Sequence, residues 1–308
     1  MNPFRGLLLA AFGLALTAAT LPAADTVRVA AYNVENYLLQ PTDTRPGKSP
    51  EARAKVRETI RAMHPDVLAL EEIGSTNALL ELRDSLKADG LDLPYWECVN
   101  GYDTNIHVAV LSRFPFTARR PHEDDTFLLD GRRFQTSRGF AELDVQVTPS
   151  FTFTLLAAHL KSRRTAVEAD ESDLRLQEAR CLRQHIDARF AADPDAPLVV
   201  LGDFNDTCNS RPVKELIGRG KYRLVDLRPA EHNGDDQPNP ENPRFSPRTI
   251  TWTHYYGVDE TYSRIDYILA SPSMARRVVK EETYIPTIAN WGIGSDHRPV
   301  MAMFSTGN

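Results

Sequence analysis

Cysteine is scarce in this chain, which has only three in 308 residues: Cys98, Cys181 and Cys208. An odd number leaves at least one thiol unpaired, so a disulfide framework does not define the fold. The sequence neither establishes nor excludes a disulfide between Cys181 and Cys208. None of the three has a neighbouring Cys or His at zinc-ligand spacing, so no catalytic role is assigned to these thiols.

An excess of positive charge is also lacking. Lys and Arg number 36 against 42 Asp and Glu, which gives a formal net charge of −6. Proteins that hold nucleic acid mainly through its phosphates tend to be basic. The acidic balance argues against tight, non-specific DNA binding, but it is compatible with transient phosphodiester contact in a local cationic cleft.

Long apolar runs are absent apart from residues 6–19, which follow Arg5 and precede the small residues Ala23 and Ala24. This order of charged, apolar and small residues is typical of a secretory signal peptide. A membrane anchor is the alternative, but it needs roughly 20 apolar residues, and this run is shorter. We expect a signal peptide over residues 1–24, a mature protein that begins near Asp25, and a secreted or periplasmic location without a stable membrane span.

The rest of the chain alternates predicted strands with predicted helices. Strands are predicted at 27–34, 66–73, 95–100, 107–112, 139–147, 151–159, 198–201, 249–253, 264–270, 278–285 and 299–304, and helices at 50–63, 75–90, 168–191 and 212–218. The interleaving indicates an α/β fold, and adjacent hairpin-like pairs argue against a purely parallel sheet. No repeat or linker divides the chain, so we expect one domain over residues 25–308. Loops at 115–136 and 228–248 are expected to choose the substrate.

The stretch from Leu198 to Asn205 is the most informative one. An apolar run, residues 198–201, is typical of a buried strand and ends at Gly202. Asp203 and Asn205 are two residues apart, so in an extended chain both face the same side. Chemistry in α/β folds sits just past the carboxyl ends of strands. The alternative is a turn in which these side chains bond their own backbone.

Other strand ends deliver the same kind of side chain, and these residues are Asn33, Glu72, His159, Asp266, Asp296 and His297. Each has an ordinary alternative, such as a turn for Asn33, a solvated carboxylate for Glu72, or an ion pair with Arg264 for Asp266. One shared site accounts for the whole set better than separate coincidences do. Carboxylate and amide oxygens without a nearby thiolate suit a hard cation, Mg²⁺ or Mn²⁺.

Six motifs together resemble the endonuclease/exonuclease/phosphatase superfamily from about residue 27 to residue 305. They are Tyr32-Asn33-Val34-Glu35-Asn36, Leu70-Glu71-Glu72, His159-Leu160-Lys161-Ser162, Gly202-Asp203-Phe204-Asn205, Arg264-Ile265-Asp266-Tyr267 and Ser295-Asp296-His297-Arg298-Pro299. The resemblance implies a four-layered α/β sandwich, with two mixed β-sheets packed face to face and helices outside. It also implies metal-dependent phosphoester hydrolysis.

The resemblance assigns metal binding to Glu72 as the principal ligand, with Asn33 and Asp296 beside it. It implies that His297 is the general base or an acid that contacts the phosphate. Asp266 would orient this imidazole and stabilise its charge, as a carboxylate does for a catalytic histidine.

The remaining implied roles concern water and phosphate. Asp203 would position water or serve a second metal, and Asn205 would donate to a phosphoryl oxygen. His159 would act from the opposite side, near the leaving group or the phosphate. Arg138 and Tyr102 are expected phosphate contacts, with a solvated loop charge and a packed aromatic ring as their respective alternatives.

The chain also departs from its relatives. Glu71 stands where many relatives have Gln, which adds one potential anion. His159 favours the branch that resembles secreted deoxyribonucleases and sphingomyelinases. Relatives of the deoxyribonuclease kind often bridge the cysteine equivalent to Cys208, but the partner position near Ser263 holds no cysteine. Their disulfide and calcium features are therefore not carried over.

We expect an exported, monomeric, metal-dependent phosphodiesterase that acts on nucleic acid as an endonuclease or exonuclease. Lys161 and Arg163 would add positive charge at the rim of its cleft. The first alternative is a phosphatase or phospholipase C-like hydrolase of lipid or small phosphoesters, which the acidic charge slightly favours. The second is a catalytically silent binding protein on the same scaffold, which is disfavoured because no chemical position has been replaced.

Overall fold

The computed structural model describes residues 25–234, 241 and 249–307. The predicted signal peptide, residues 1–24, lies outside these residues. So do residues 235–240 and 242–248 of the predicted loop 228–248.

Seven strands form the first sheet, in the spatial order β12 (Ala230–Glu231), β16 (Val278–Ile285), β17 (Val300–Ser305), β1 (Thr26–Tyr37), β2 (Val67–Ile73), β4 (His107–Ser112) and β3 (Tyr95–Val99). The sheet is mixed, because β1 runs parallel to β2 but antiparallel to β17.

Six strands form the second sheet, in the order β11 (Val225–Asp226), β15 (Asp266–Ala270), β10 (Leu198–Asp203), β9 (Phe151–Ala157), β8 (Phe140–Thr148) and β5 (Phe116–His122). This sheet is also mixed, since β9 and β10 are parallel while β10 and β15 are antiparallel.

Two hairpins, five α-helices and two short 3₁₀-helices, at Gly220–Tyr222 and Trp291–Ile293, complete the described elements. The hairpins are β6 (Thr126–Leu129) with β7 (Arg132–Gln135) and β13 (His254–Tyr256) with β14 (Thr261–Ser263). The helices are α1 (Pro50–Met63), α2 (Thr76–Ala88), α3 (Glu171–Ala192), α4 (Arg211–Ile217) and α5 (Pro272–Ala275). Helix α1 begins where the sequence predicts, because the Ser49 hydroxyl accepts a hydrogen bond from the Ala52 N–H and Pro50 needs no partner.

Side chains of successive strand residues face opposite sides of each sheet, and this alternation builds the layers. In β1, Val29 and Ala31 face a central core that they share with Leu155 of β9, whereas Ala30 faces a second cluster that includes residues of α1 and α2. In β10, Val200 faces a third cluster that contains residues of α3. The sheets therefore pack face to face with helices on both outer faces, which confirms the predicted four-layered α/β sandwich.

The prediction of a continuous loop at 115–136 is wrong. This segment contains β5, which pairs with β8, and the β6–β7 hairpin. Pro121 lies within β5 and weakens its strand signal. It is tolerated because β5 is an edge strand, where a missing N–H leaves no ladder partner unsatisfied.

The predicted strand at 249–253 is also wrong. The strands of this region lie further along, at β13 and β14. Thr253 instead makes single backbone bonds, donating its N–H to Ser263 O and accepting the N–H of Arg298. The β-branched composition of the segment produced a strand signal that no neighbouring strand satisfies.

All three cysteines are free, so the possible bridge between Cys181 and Cys208 is not formed. Across the part of the chain that the structure describes, no helix has the length and hydropathy needed to span a membrane.

The two sheets bring several loops to one edge. β1 and β2 are parallel, as are β9 and β10, so the carboxyl ends within each pair lie together. Since β17 is antiparallel to β1, the loop before β17 reaches the same edge of the first sheet. The strand order thus positions the motifs that contain Asn33, Glu72, His159 and Asp203 for a common site.

Candidate active site

Asp203, the last residue of β10, links the two sheets at this edge. Its Oδ2 accepts a hydrogen bond of 3.0 Å from Nδ2 of Asn33, which belongs to β1 of the first sheet. The preceding Gly202 has φ 128°, and a Cβ there would lie 2.1 Å from the carbonyl oxygen of Ala158. Only glycine therefore allows the close strand approach that delivers Asp203.

Four side-chain nitrogens surround one oxygen atom, Oδ2 of Asp203. Nδ2 of Asn33 and Nδ2 of Asn205 lie at 3.0 and 3.3 Å. Nε2 of His159 and Nε2 of His297 lie at 3.5 and 3.8 Å. Residues predicted from four separate motifs thus meet around a single carboxylate.

The imidazole of His297 is oriented by Asp266. Nδ1 of His297 lies 3.0 Å from Oδ2 of Asp266, a buried residue that opposes Asp203 in the β10–β15 register. The loop is fixed by Ser295, whose hydroxyl donates to Asn33 O at 2.7 Å and accepts the N–H of His297 at 3.0 Å. Asp266 does not pair with Arg264, which contacts Asp226 instead.

The three titratable groups at this centre differ in protonation. Burial raises the pKa of Asp203 to about 7, although the charge of His297 opposes the shift. Burial disfavours the charged form of His297, but Asp266 and Asp203 outweigh it and raise the pKa of His297 well above its ordinary value. Burial, assisted by the nearby Arg138, lowers the pKa of His159 well below its ordinary value. At neutral pH the centre therefore holds an imidazolium, a neutral imidazole and a carboxyl group near its midpoint.

Asn205 adopts a left-handed backbone conformation, with φ 54°. Its N–H donates to Oδ1 of Asp203 at 2.8 Å, and its Nδ2 donates to Leu160 O at 3.0 Å as well as to Asp203. Both amide hydrogens therefore have protein partners. The predicted contact from Asn205 to a phosphoryl oxygen requires the release of one of them.

Glu72 lies at the end of β2, also with a left-handed backbone, φ 66°. Its Oε2 accepts a hydrogen bond of 2.9 Å from the N–H of Asn36 and lies 4.0 Å from Nη1 of Arg45. Its other carboxylate oxygen, Oε1, has no hydrogen bond among the described residues. Residues of unusual φ are concentrated at functional sites, where the surrounding structure holds them.

The predicted metal ligands lie in an acidic environment. Burial and the charges of Asp296 and Glu72 raise the pKa of the neighbouring Glu35, while Lys48 opposes the shift. Three carboxylates thus crowd a region where Lys48 and Arg45 are nearby cations. A divalent ion that prefers oxygen ligands fits this donor set.

The structure separates the predicted ligands more than expected, however. The Oδ1 of Asn33 accepts the N–H of Glu35 at 3.0 Å while its Nδ2 faces Asp203. Close groups of His and carboxylate ligands at this edge are His254–Asp296–His297 and Asp203–Asp266–His297, and Glu72 belongs to neither. Nε2 of His254 lies 3.6 Å from Oδ2 of Asp296.

A cavity of about 610 Å³ opens over these groups. The predicted site residues that line it are Glu72, Arg138, His159, Asp203, Asn205, Asp296 and His297. Asn33 and Asp266 are buried behind the lining and support Asp203 and His297. The cavity volume is within the range of roughly 300–1,000 Å³ typical of ligand sites.

Cations form part of the cavity wall. Arg45, Arg138, Arg163 and Arg164 all line it. Asp103 lies 3.7 Å from Nη2 of Arg45 and 3.4 Å from Nη2 of Arg138 and so holds two of these arginines together. Guanidinium groups are well suited to phosphate oxygens.

Sequence reasoning missed Arg45, Arg164, His254 and Tyr256, all of which line the cavity. Arg45 comes from a polar loop without a strand or helix signal. His254 and Tyr256 come from β13, which was predicted a few residues too early. The backbone bridge between His254 and His297 is a long-range contact that no local pattern announces.

Tyr102 is not brought into the cavity. Its side chain is 75% exposed, and it is not a lining residue. The neighbouring Gly101 packs closely on the backbone of Arg138, so this loop supports Arg138.

Glu71, the departure noted in the sequence, is fully buried beneath the site. Neither carboxylate oxygen has a hydrogen-bond partner among the described residues. Burial, reinforced by the charges of Asp266 and Asp203, raises the pKa of Glu71 well above its ordinary value. The buried site therefore disfavours the charged form of Glu71.

The fold and the site together define a class of hydrolases that act on phosphoesters. The chain belongs to the Endonuclease/Exonuclease/phosphatase family, which it matches over residues 30–297. Enzymes of this family depend on divalent metals, and the His and carboxylate groups at the cavity are candidate ligands.

Solved structures share the fold at low sequence identity. The catalytic domain of human Nocturnin with bound sulfate is 15% identical, with a TM-score of 0.63 over 92% of this chain and 95% of that chain. An endonuclease/exonuclease/phosphatase from Beutenbergia cavernae is 20% identical, with a TM-score of 0.59 over 92% and 72%. Truncated TDP2 of Caenorhabditis elegans is 16% identical, with a TM-score of 0.56 over 91% and 97%. No curated protein matches the chain.

Proposed function

We propose that this protein is an exported, Mg²⁺-dependent phosphodiesterase that hydrolyses nucleic acid. The observation that carries the proposal is the arrangement around Oδ2 of Asp203, where two amides and two imidazoles converge beside a cavity lined by arginines. The carboxylate can bind a water molecule there, and the imidazoles and arginines can bind a phosphoryl group.

In this proposal Asp203 accepts the proton of the attacking water. A general base works best when its pKa lies near the working pH, and the pKa of Asp203 is about 7. His297, held by Asp266, presents a charged N–H to a phosphoryl oxygen. His159 stays neutral and contacts the same carboxylate from its Nε2.

The arginines bind and orient the substrate phosphate. Arg138 is buried in the cavity lining, and its Nε has no partner among the described residues. Arg45 lies beside it through Asp103. These groups offset the charge that develops on the phosphoryl oxygens.

Glu72 and Asp296, supported by Asn33, would hold the divalent ion. When bound, such an ion relieves charge on the phosphoryl oxygens and activates water. Mn²⁺ has similar ligand preferences and is the expected substitute.

Features of the rim favour nucleic acid as the substrate. Tyr256 of the β13–β14 hairpin lines the cavity and is 46% exposed, and Arg163 and Arg164 also line it. Bases stack on aromatic rings, and phosphates pair with arginines, so this combination suits a polynucleotide. The sulfate bound by human Nocturnin is consistent with an oxyanion site in this fold.

A phosphatase or phospholipase C-like activity is the second candidate. Val258, at the tip of the same hairpin, is 79% exposed and offers an apolar contact to lipid. Its neighbours Asp259 and Glu260 are acidic, however, which opposes contact with an anionic membrane surface.

A substrate panel tests the proposed activity. Purified protein with Mg²⁺ is offered single- and double-stranded DNA, RNA, sphingomyelin, inositol phosphates and nucleotide monoesters. We expect polynucleotide cleavage that stops with chelator and returns with Mg²⁺ or Mn²⁺. Turnover of only lipid or monoester substrates would favour the second candidate, and metal-independent turnover would contradict the proposed chemistry.

Export is proposed from residues 1–24, whose pattern is that of a signal peptide. Fusion of these residues to a reporter enzyme that is active only outside the cytoplasm tests it. We expect reporter activity that is lost when Leu7, Leu8 and Leu9 are replaced by charged residues. Equal activity with the charged variant would contradict export by this segment.

The protein is also proposed to act as a monomer, because residues of one chain line the whole cavity described above. Light scattering across a dilution series should give the mass of one chain. A concentration-independent dimer would contradict this part of the proposal.

A further inference from the structure

Two histidines outside the catalytic cavity stack on each other. The rings of His122 and His185 have centroids 3.5 Å apart and an interplanar angle of 20°. His122 ends β5, and His185 lies in α3, so their contact joins the second sheet to its covering helix. Neither residue lines the catalytic cavity.

Each of these imidazoles also contacts a carboxylate. Nε2 of His185 lies 2.6 Å from Oδ2 of Asp125, and Nε2 of His122 lies 2.8 Å from Oε2 of Glu142. One ligand atom each from His122, Asp125 and His185 lies within 4.8 Å of the others. The three side chains are only partly buried, so an ion from solvent can reach them.

The local charge favours a cation. The acids are Asp125, Glu142 and Asp144, whereas the arginines that contact them are Arg120 and Arg189. With both imidazoles neutral, three acids face two arginines. A metal ion shared by the two rings would bind them as neutral imidazoles.

We propose that His122, Asp125 and His185 form a second metal site, for Zn²⁺ or a similar transition metal. Two imidazoles and one carboxylate are typical zinc ligands and leave a fourth position for water. Glu142 would hold the His122 ring as an outer-shell carboxylate. The Mg²⁺ proposed for the cavity prefers oxygen ligands, so the two sites would select different ions.

The site would have a structural role. Asp125 lies just before the β6–β7 hairpin, and its carbonyl accepts the N–H of Thr136 at the base of that hairpin. The next residue, Ser137, donates its N–H to Glu178 of α3 at 2.7 Å and precedes Arg138 of the cavity. An ion at the proposed site would therefore fasten the hairpin to α3 and steady the segment that carries Arg138.

Co²⁺ binding provides the test, because its visible absorption reports nitrogen and oxygen ligands in a tetrahedral site. Chelator-treated full-length protein is titrated with Co²⁺ in excess Mg²⁺, and competition by Zn²⁺ gives its affinity. We compare the wild type with His185→Asn, Asp125→Asn and the control His64→Asn, since His64 is exposed and Asn tolerates its left-handed φ of 47°.

We expect one tetrahedral ion in the wild type and in His64→Asn. Loss of a ligand should weaken Zn²⁺ binding by more than the roughly 10–100-fold typical of outer-shell changes. Zn²⁺ should also raise the thermal midpoint of the wild type but not of His185→Asn. Absence of a bound ion in the wild type, or equal binding in all variants, would overturn the proposal. His254→Gln is measured as a fourth variant, and loss of binding only there would assign the ion to the catalytic cavity instead. Because Asp125 is a loop residue, Asp125→Asn keeps the test valid if His185→Asn does not fold.

Discussion

Two buried carboxylates on the second sheet have opposite electrostatic environments. Asp203 ends β10 at the cavity, and burial raises its pKa to about 7. Glu142 lies on β8 beneath α3, and although burial opposes the charged form, His122 and Arg120 lower its pKa. Burial alone therefore does not decide the charge of an acid. Glu142 has arginine partners and stays ionised, whereas Asp203 has amides and imidazoles and remains able to exchange a proton.

The largest expected effect comes from Asp203→Asn. This change keeps the shape of the side chain but removes its basicity, so we expect turnover to fall by roughly 10²–10⁴-fold. Steady-state hydrolysis of a model phosphodiester with Mg²⁺ measures it. Asp187→Asn is the control, because Asp187 is a half-exposed acid that pairs with Arg183 on α3. Similar turnover in the two variants would refute the role of Asp203.

Asp266→Asn should have a smaller effect, on the order of 10–100-fold in turnover, because Asp266 acts through His297. After the opposing effect of burial, Asp266 is the largest influence on the pKa of His297, and it raises that pKa. Its loss should move the alkaline limb of the pH–rate profile to lower pH.

The control for this variant is Asp226→Asn, which removes the partner of Arg264 on a neighbouring strand. Its pH–rate profile should match that of the wild type. If the alkaline limb of the pH–rate profile is unchanged in Asp266→Asn, the pKa of His297 does not determine that limb.

Glu142→Gln tests the other half of the comparison through the free energy of unfolding. The folded-state pKa of Glu142 is lowered, so its stabilisation is present above its ordinary pKa of 4.5 and is lost as the pH falls through the folded-state value. We expect the variant to be less stable by about 1–3 kcal/mol at neutral pH, with the difference shrinking in acid.

Denaturant unfolding of the chelator-treated protein at several pH values measures this difference. Asp203→Asn should show the opposite trend. The folded-state pKa of Asp203 is raised, so wild-type stability is lost as the pH rises from about 4 to about 7, and the variant escapes that loss. Parallel curves for the two variants would contradict the comparison.

The smallest effect is expected for Arg164→Ala. Exposed ion pairs contribute about 0.2–1 kcal/mol, so KM for a polynucleotide should rise by roughly two- to fivefold while kcat stays similar. Arg211→Ala is the matched control, since Arg211 is exposed outside the cavity lining. A loss of kcat instead of KM would assign Arg164 a part in the chemistry.

The central strands and their motifs could be predicted from sequence because local signals coincide there. Residues 198–205 combine an apolar run, a glycine of special φ and two polar residues, and the structure gives each its expected location. Elements at the edges of the sheets were harder to predict from sequence. β5 carries Pro121 and a polar outer face, and its strand character depends on pairing with β8, which is distant in sequence.

The predicted site residues lie in motifs at or beside the ends of central strands, whereas the missed residues Arg45 and His254 lie in a polar loop and in the short hairpin strand β13. His159 and Asp203 lie together because β9 and β10 are parallel, and Asn33 reaches Asp203 from the other sheet. Arg45 and His254 reach the cavity through tertiary contacts with Asp103 and Asp296. Neither contact leaves a pattern in the sequence, because the interacting residues are far apart along the chain.

The position of β17 has a consequence for biogenesis. This strand lies between β16 and β1, in the interior of the first sheet, and residues 300–305 supply the partner for the first strand of the fold. The growing polypeptide therefore cannot complete that sheet until these residues have left the ribosome. Until then β1 lacks its antiparallel neighbour on that side.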